Sequence, residues 1–457
     1  SNTFHDALVP FAERRIIKMK EITTVWIQSN KEAYRADVKN SIYEKEYAKN
    51  YISDIAFDKE RAKLQPFEFS VDISTMETAA QGNAGRCWIV AGLNLLREHI
   101  VKGLRKRTPQ STNFQLSFAY LCFWDKLEKA NCFLEKAIQY RNESYNKREV
   151  YSWFQYAVTD GGFWTNFKEL VKKYGIVPAE IMTETFQSSN TEEMNNRLNH
   201  YLRKISAEIR KAALEGQNIE NIVEIKEQAL KKIFTFLCRC YGCPPDTFTY
   251  TLEDEKQKKQ YTPKTFYYDF VGEFLDQFVN IISLPYEKLP FGETCILTDV
   301  FQVAGGQEEQ FLNLPLYELK EKCIEQLKAG IPVVCMADDD KMCMEELQLW
   351  DDNSFDYAAV TGFDFEMSRK DYFQLKAGIA SHSMMLTGVH LGEDGMPKRW
   401  KIENSYGTEG LHKGYYICSD SWFEKYVLSA VICKKYISEI NRKKQQNKHL
   451  FNIWDIM

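Results

Sequence analysis

The sequence contains little that would direct the protein to a membrane or to nucleic acid. No apolar run approaches the roughly 20 residues that a helix needs to span a bilayer. The first part of the chain interrupts its short apolar runs with charged side chains, unlike a secretory signal. The formal net charge of -5 gives no overall attraction to polyanions. We therefore expect no membrane partner and no nucleic-acid partner.

The twelve cysteines are too sparse in a chain of 457 residues to form a dense disulfide framework. Several lie in apolar runs, such as Cys335 in GIPVVCMA and Cys433 in LSAVICKKY, which is typical of buried thiols in a reducing compartment. We predict a cytoplasmic protein. The run CRCYGC, Cys238 to Cys243, resembles half of a zinc knuckle, but no second Cys/His cluster follows at ligand spacing. We therefore predict no metal and no cofactor.

The chain is too long for one compact core, so two domains, or one domain with a large insertion, are expected. Helical patterns prevail in the first half. Short β-rich runs, separated by Gly, Asp and Pro turns, follow from about residue 295. This order predicts an α+β protein whose site lies between the two halves.

One cysteine, Cys87, stands where a turn gives way to a helix, in QGNAGRCWIVAGLNLL. A buried small residue is the ordinary role of a cysteine in such a run. A helix N-terminus also favours an anion, and the thiolate is the reactive form, so Cys87 is a candidate nucleophile. Small residues before it, ending in Gly85, let a substrate backbone come close. The Gln81 amide, with the Cys87 backbone N–H, would form an oxyanion hole.

A general base is expected from His382, which heads the apolar, strand-like run in AGIASHSMMLTGV. An imidazole beside a thiol can hold a thiolate–imidazolium pair and can later protonate the leaving amine. Asn404 ends the next β-type run, 22 residues further on, which suits a neighbouring strand in a hairpin. It can orient the ring, and Tyr406 can shield that contact from water. Taken alone, His382 and Asn404 are each ordinary structural polar residues.

Together, the boxes GRCW, SHSMMLTGV and WKIENSYGTEGLHKGYYICSDSWFEKYV resemble those of the papain-like cysteine peptidases. The closer resemblance is to the bleomycin hydrolase and aminopeptidase C family. Further blocks in the same order, among them DGGFW, KKYGIVP, GCPPDTFTY and the terminal WDIM, extend it over residues 67–457. The resemblance implies a thiol protease that removes N-terminal residues from peptides through a thioester intermediate.

The resemblance also implies a papain-like two-lobed fold, with a helical lobe, a β-barrel-like lobe and a large helical insertion. Its site residues, carried over by position, are the nucleophile Cys87, the acid/base His382, the orienting Asn404, the oxyanion donor Gln81, and the substrate-binding Gly85, Gly162 and Met457.

The insertion explains an unusual spacing. His382 follows Cys87 by 295 residues, whereas papain-like enzymes separate the two by about 130–150 residues. The implied divisions are N-terminal peripheral helices at 1–66, a catalytic helical lobe at 67–112, a largely helical insertion at 113–280, a β-rich catalytic lobe at 281–440 and a tail directed to the cleft at 441–457.

The C-terminal tail bears on the type of cleavage. In this family the tail lies in the active-site cleft, and its carboxylate captures the N-terminal amine of the substrate. Here FNIWDIM ends at Met457, where the family usually continues for several small residues. We expect aminopeptidase activity, with oligopeptidase, endopeptidase or dipeptide-releasing activity as the alternative.

The resemblance also implies a homohexameric ring that acts on peptide substrates. A ring that binds peptide or nucleic acid without catalysis is the alternative of another class. Since an amine can take the acyl group as well as water can, acyl transfer by the same residues also stays open.

Overall fold

The computed structural model describes residues 19–107, 114–251 and 258–456. They fall into two compact units. The first contains the residues up to 57 together with 355–365, and the second contains 58–354 and the residues from 366 onward. None of the helices formed by these residues combines the length and the apolar character needed to cross a bilayer.

The helices of the described residues are α1 (Thr24–Ala36), α2 (Val38–Tyr47), α3 (Ile52–Ala56), α4 (Lys59–Ala62), α5 (Cys87–Arg107), α6 (Phe118–Gln139), α7 (Arg148–Tyr156), α8 (Trp164–Tyr174), α9 (Phe186–Ser189), α10 (Glu192–Leu214), α11 (Ile219–Tyr241), α12 (Pro263–Phe270), α13 (Leu316–Lys328), α14 (Tyr357–Thr361), α15 (Arg369–Gln374), α16 (Asp420–Tyr426), α17 (Glu439–Lys444) and α18 (Ile453–Ile456).

The strands are β1 (Val71–Asp72), β2 (Phe248–Tyr250), β3 (Lys259–Tyr261), β4 (Phe278–Ile282), β5 (Thr294–Leu297), β6 (Gln310–Asn313), β7 (Val333–Ala337), β8 (Cys343–Met344), β9 (Leu349–Trp350), β10 (His382–Leu391), β11 (Pro397–Glu403), β12 (Tyr415–Ser419), β13 (Val427–Cys433) and β14 (Lys448–Phe451). The predicted α+β class is confirmed.

The first unit joins the N-terminal helices α1–α3 to a segment from far along the chain that contains α14. The Tyr47 hydroxyl donates a hydrogen bond to the Val360 carbonyl at 2.8 Å, and Phe57 forms an isolated β-bridge with Phe355. The peripheral helices expected at the N-terminus therefore have a partner segment that sequence order does not reveal.

The helical part of the second unit is built around α5, α6, α8, α10 and α11, which share one hydrophobic core. In α10 the buried residues Leu198, Leu202, Ile205 and Ile209 recur at helical spacing. Helix α8 ends at Tyr174 and is capped by Gly175, whose φ of 79° favours glycine. The proposed division of this region at residues 113 and 281 stays a prediction.

Twelve strands of the second unit form one sheet, in the order β14-β5-β6-β4-β13-β7-β10-β11-β12-β9-β8, with β1 added beside β10. Its central strands are antiparallel and almost entirely buried. Strand β10 pairs His382 with Ala337 of β7, and Met385 with Glu403 of β11. This register brings the start of β10 and the end of β11 to one edge of the hairpin.

Helix α5 packs against β10 and β7, and buried polar contacts fix it there. The Glu403 carboxylate of β11 accepts hydrogen bonds from Asn94 Nδ2 at 3.0 Å and from Arg97 Nη2 at 2.9 Å. Because Glu403 directly precedes Asn404, these contacts tie the helix that begins at Cys87 to the strand end that carries the predicted orienting amide.

Candidate active site

The structure places Cys87 at the first residue of α5, as the sequence predicts. The turn before it needs Gly82 at a φ of 69°, and the Asn83 backbone N–H donates to the Ser189 carbonyl at 2.7 Å. The apolar residues that follow, from Trp88 onward, are buried and anchor the helix. The Cys87 Sγ atom accepts a hydrogen bond from the Ser383 backbone N–H at 3.3 Å.

Strand β10 brings His382 beside the same sulfur, where the Cys87 side chain interacts with the imidazole. On its other side, His382 Nε2 lies 2.7 Å from Asn404 Oδ1. Since an amide oxygen only accepts, Nε2 carries the proton in this arrangement and leaves the second ring nitrogen to the thiol. The Tyr406 ring stacks on the imidazole, with centroids 5.4 Å apart. Cys87, His382 and Asn404, separated by up to 317 positions in the sequence, thus lie side by side.

The electrostatics of the pair favour an imidazolium. Burial disfavours the charged ring, but the hydrogen bond and charge of Cys87, with Asp339 and Asn404 acting in the same direction, raise the pKa of His382 to about 9. The Asp339 carboxylate is held close by, since the Ser381 hydroxyl donates to its Oδ1 at 2.9 Å. A charged imidazole beside the sulfur stabilises the thiolate, which is the nucleophilic form.

Gln81 is fixed from both ends. Its backbone N–H donates to the Ser405 carbonyl at 2.8 Å, and the Ser405 hydroxyl donates to its Oε1 at 2.5 Å. Its Nε2 donates to the Ala84 carbonyl at 2.7 Å, and the Arg86 Nε donates to the Gln81 carbonyl at 2.9 Å. Because the amide nitrogen has two hydrogens, one remains for a ligand beside Cys87.

Cys87 opens into a cavity of about 800 Å³. Gly85 and Gly162, the two glycines assigned to substrate binding, line it together with His382. A Cβ atom on Gly162 would lie 2.5 Å from the Trp88 ring, so no other residue fits there without displacement. Met457, the third assigned residue, lies outside the described residues.

Other lining residues were not assigned from the sequence. Helix α7 contributes much of one wall, and Asp299, Ile453 and Trp454 also face the cavity. The Arg148 guanidinium stacks on the Trp454 ring at 4.8 Å. The WDIM block was a signal that the chain end comes to this cleft, whereas nothing in the pattern of α7 marks it as a cavity wall.

The remaining motif, CRCYGC, runs from the last turn of α11 to Cys243, which lies beyond the helix end at Tyr241. Burial, and then the neighbouring Cys243 thiol, raise the pKa of Cys238. Within 19–107, 114–251 and 258–456, no group of three or more His, Cys, Asp or Glu side chains is arranged to hold a metal ion.

Comparison with known proteins agrees with this geometry. The Peptidase C1-like family matches residues 21–457. Aminopeptidase C of Lactobacillus delbrueckii subsp. lactis is 34% identical over 379 residues, which cover 82% of this chain and 83% of the relative. Aminopeptidase C of Listeria monocytogenes is 32% identical over 402 residues, covering 87% and 89%. The crystal structure of PepW from Lactobacillus rhamnosis superposes with a TM-score of 0.90 at 31% identity, over 96% of this chain and 98% of PepW.

Fold and relatives together define a papain-like cysteine peptidase. The chain belongs to the Peptidase C1-like family. This confirms the family resemblance and the papain-like fold that the motif boxes predict.

Proposed function

We propose that this protein is a cysteine aminopeptidase that removes N-terminal residues from peptides. One observation carries the proposal: the His382 imidazole, hydrogen bonded to the Asn404 amide, lies beside the Cys87 thiol at the wall of a cavity large enough for several residues of peptide. Relatives named Aminopeptidase C that match most of the chain support the choice of an aminopeptidase.

The first half of the reaction is acylation. The Cys87 thiolate attacks the carbonyl carbon of the scissile bond, and the carbonyl oxygen becomes an oxyanion. The free N–H of the Gln81 side chain and the backbone N–H of Cys87 stabilise that charge. The His382 imidazolium gives its proton to the leaving amine, the C–N bond breaks, and a thioester to Cys87 remains.

The second half is deacylation. Neutral His382 takes a proton from a water molecule, whose oxygen attacks the thioester carbonyl. The C–S bond then breaks, and the released acid leaves Cys87 as a thiolate beside the protonated imidazole. Asn404 keeps the ring orientation through both halves, because its Oδ1 accepts a hydrogen bond from the Nε2–H group, with 2.7 Å between the two atoms. Gly85 and Gly162 let the substrate backbone approach the sulfur.

Product analysis on matched peptides tests this function. Peptides with a free N-terminal amine should lose single residues from that end, and the same peptides after N-acetylation should not be cleaved. Equal cleavage of both forms would remove the aminopeptidase assignment and leave a peptidase of the oligopeptidase or endopeptidase type. No cleavage of either form would contradict peptidase function.

Assembly and location belong to the same proposal. The family resemblance supports a homohexamer, and light scattering on the purified protein should give the mass of six chains rather than one. All twelve cysteines are free thiols, which supports a reducing compartment such as the cytoplasm. Recovery of the protein from the extracellular or envelope fraction would contradict that location.

A further inference from the structure

The mechanism above does not use Asp160, which lies directly behind the turn that carries the nucleophile. Its Oδ2 accepts hydrogen bonds from the Gly85 backbone N–H at 3.1 Å and from the Thr191 hydroxyl at 2.6 Å. Its Oδ1 accepts from Lys126 Nζ at 2.5 Å and from Asn195 Nδ2 at 2.9 Å. One carboxylate therefore satisfies four donors that come from three separate parts of the chain.

The backbone around Asp160 is also fixed by hydrogen bonds from buried side chains. The Trp88 indole Nε1 donates to the Asp160 carbonyl at 2.8 Å, and Lys129 Nζ donates to the Gly161 carbonyl at 2.6 Å. The next residue, Gly162, lies against the Trp88 ring and faces the cavity. Asp160 thus directly precedes Gly161 and Gly162, which line one side of the cavity. Its carboxylate also contacts the turn before Cys87.

The surroundings of the carboxylate favour its charged form. Burial disfavours its charge, but the Lys126 ammonium and the hydrogen bonds from Lys126, Thr191 and Asn195 hold the pKa of Asp160 well below its usual range. A hydrogen bond from the Gly85 N–H to a charged acceptor is stronger than one to a neutral group. The contact is therefore suited to hold a backbone segment that has no helix or strand ladder of its own.

We propose that Asp160 is a positioning residue for the peptidase reaction, holding the Gly85–Cys87 backbone so that the Cys87 N–H faces the oxyanion. Gly85 is two residues before Cys87, so a rotation of this backbone would turn the oxyanion donor away. Asp160 also directly precedes Gly161 and Gly162, which line the cavity. The inference rests on the proposed function, since it concerns the geometry of that reaction.

A purely stabilising role for the Asp160–Lys126 pair makes a different prediction. A buried ion pair that only holds the fold would affect the free energy of unfolding and leave turnover of the folded protein unchanged. A positioning role would lower kcat at temperatures where the variant is fully folded. Alkylation of Cys87 by iodoacetamide separates these effects further, because that reaction forms no oxyanion.

The test is Asp160→Asn, with Asp125→Asn as the matched control. Asparagine keeps the size of the side chain but has one acceptor oxygen, so it cannot accept from both Gly85 and Lys126. Asp125 is buried in the same cluster, where it pairs with Lys129 at 2.8 Å, yet it does not contact the nucleophile turn.

We expect Asp160→Asn to lower kcat on a free-amine peptide by about 10²-fold, the loss that a small misplacement of reacting groups produces. The alkylation rate of Cys87 should change far less, and Asp125→Asn should keep the kcat of the unaltered protein. Unchanged kcat in Asp160→Asn, or an equal loss in both variants, would overturn the inference. An unaltered protein that cleaves no peptide would instead contradict the proposed function.

A milder variant covers the case in which Asp160→Asn does not fold. Thr191→Val removes one donor to Oδ2, the oxygen that also holds the Gly85 N–H, and leaves the contact of Lys126 with Oδ1 in place. Loss of one such bond should lower kcat by roughly three- to tenfold. A folded Thr191→Val protein with unchanged kcat would overturn the positioning role.

Discussion

Cys87 lies where a turn meets a helix, whereas His382 lies in a strand with partners on both sides. A strand residue is located by its ladder: β7 and β11 flank β10, and their register brings His382 to Asn404. A turn has no such ladder: single backbone hydrogen bonds hold Gln81 and Asn83, and side-chain contacts add to them. Asp160, Arg86 and Gln81 supply these side-chain contacts through hydrogen bonds to the backbone of the turn or between its residues.

The surroundings of the two regions differ in the same way. Behind the nucleophile turn are buried charges, with Lys126, Lys129 and Asp125 almost inaccessible to solvent. Behind His382 are apolar strand residues such as Met384 and Leu386. The helical side is therefore held by ion pairs and the sheet side by packing, so we expect each side to be destabilised by a different kind of substitution.

The largest effect is expected from removal of the Cys87 sulfur, which the nucleophile turn carries and strand β10 contacts. Cys87→Ala removes the sulfur but leaves the turn and strand in place, so kcat/KM should fall by about 10⁵-fold or more with little change in melting temperature. Activity on free-amine peptides and circular dichroism together check this. Residual turnover above a thousandth of the original rate in pure protein would mean that another group carries the reaction.

The free energy of unfolding should fall for a different physical reason in each region. Lys129→Met leaves the buried Asp125 carboxylate without its partner and should lower the free energy of unfolding by about 3–5 kcal/mol. Leu386→Ala opens a cavity in the sheet core and should cost about 2–5 kcal/mol. Denaturant unfolding measures both.

A second substitution distinguishes the causes. Adding Asp125→Leu to Lys129→Met removes the orphaned charge and should recover part of the loss, because two apolar groups replace an ion pair. If the double variant were as unstable as the sum of the two single variants, the ionic account of the helical side would be wrong.

The oxyanion donor should give an intermediate effect. Gln81→Ala removes the free side-chain N–H, so kcat should fall by about 10²- to 10³-fold, the usual loss for one such donor, while KM changes little. Steady-state kinetics on a free-amine peptide measures this. A change in KM alone would assign Gln81 to substrate binding instead.

The smallest effect concerns pH. Because the pKa of His382 is raised to about 9, its imidazolium form is present below that pH and is lost as the pH rises through it. The alkaline limb of kcat/KM should therefore lie near pH 9. Asp339→Asn removes a charge that favours the imidazolium, so the limb should move to lower pH. A limb that stays in place, or moves to higher pH, would contradict this electrostatic account.

The family and the fold class could be predicted from the sequence because their signals are local. A nucleophile box, a histidine box and an asparagine box each keep their residues within a few positions, and Asn404 follows His382 at hairpin distance. The contact of His382 with Asn404 then required only that β10 and β11 pair, which their β-rich, apolar pattern favours.

The supporting contacts could not be predicted, because they join residues that no local pattern connects. Asp160 stands before two glycines and its sequence is typical of a turn, yet its four donors lie up to 75 positions away. The segment 355–365 belongs with the first unit although it is about 300 residues from the N-terminal helices. Such pairings follow from the packing of helices whose individual patterns are compatible with many partners.

The central claim is that one thiol of twelve does the chemistry. Burial raises the pKa of ten others, which makes them poor nucleophiles at neutral pH: Cys122, Cys132, Cys238, Cys240, Cys295, Cys323, Cys335, Cys343, Cys418 and Cys433.

Limited alkylation with iodoacetamide at neutral pH, followed by peptide mass spectrometry and a peptidase assay on the same sample, tests the claim most directly. We predict that the first carbamidomethyl group is found on Cys87 and that peptidase activity falls in proportion to its occupancy. Full activity in a sample whose Cys87 is completely alkylated would contradict the account.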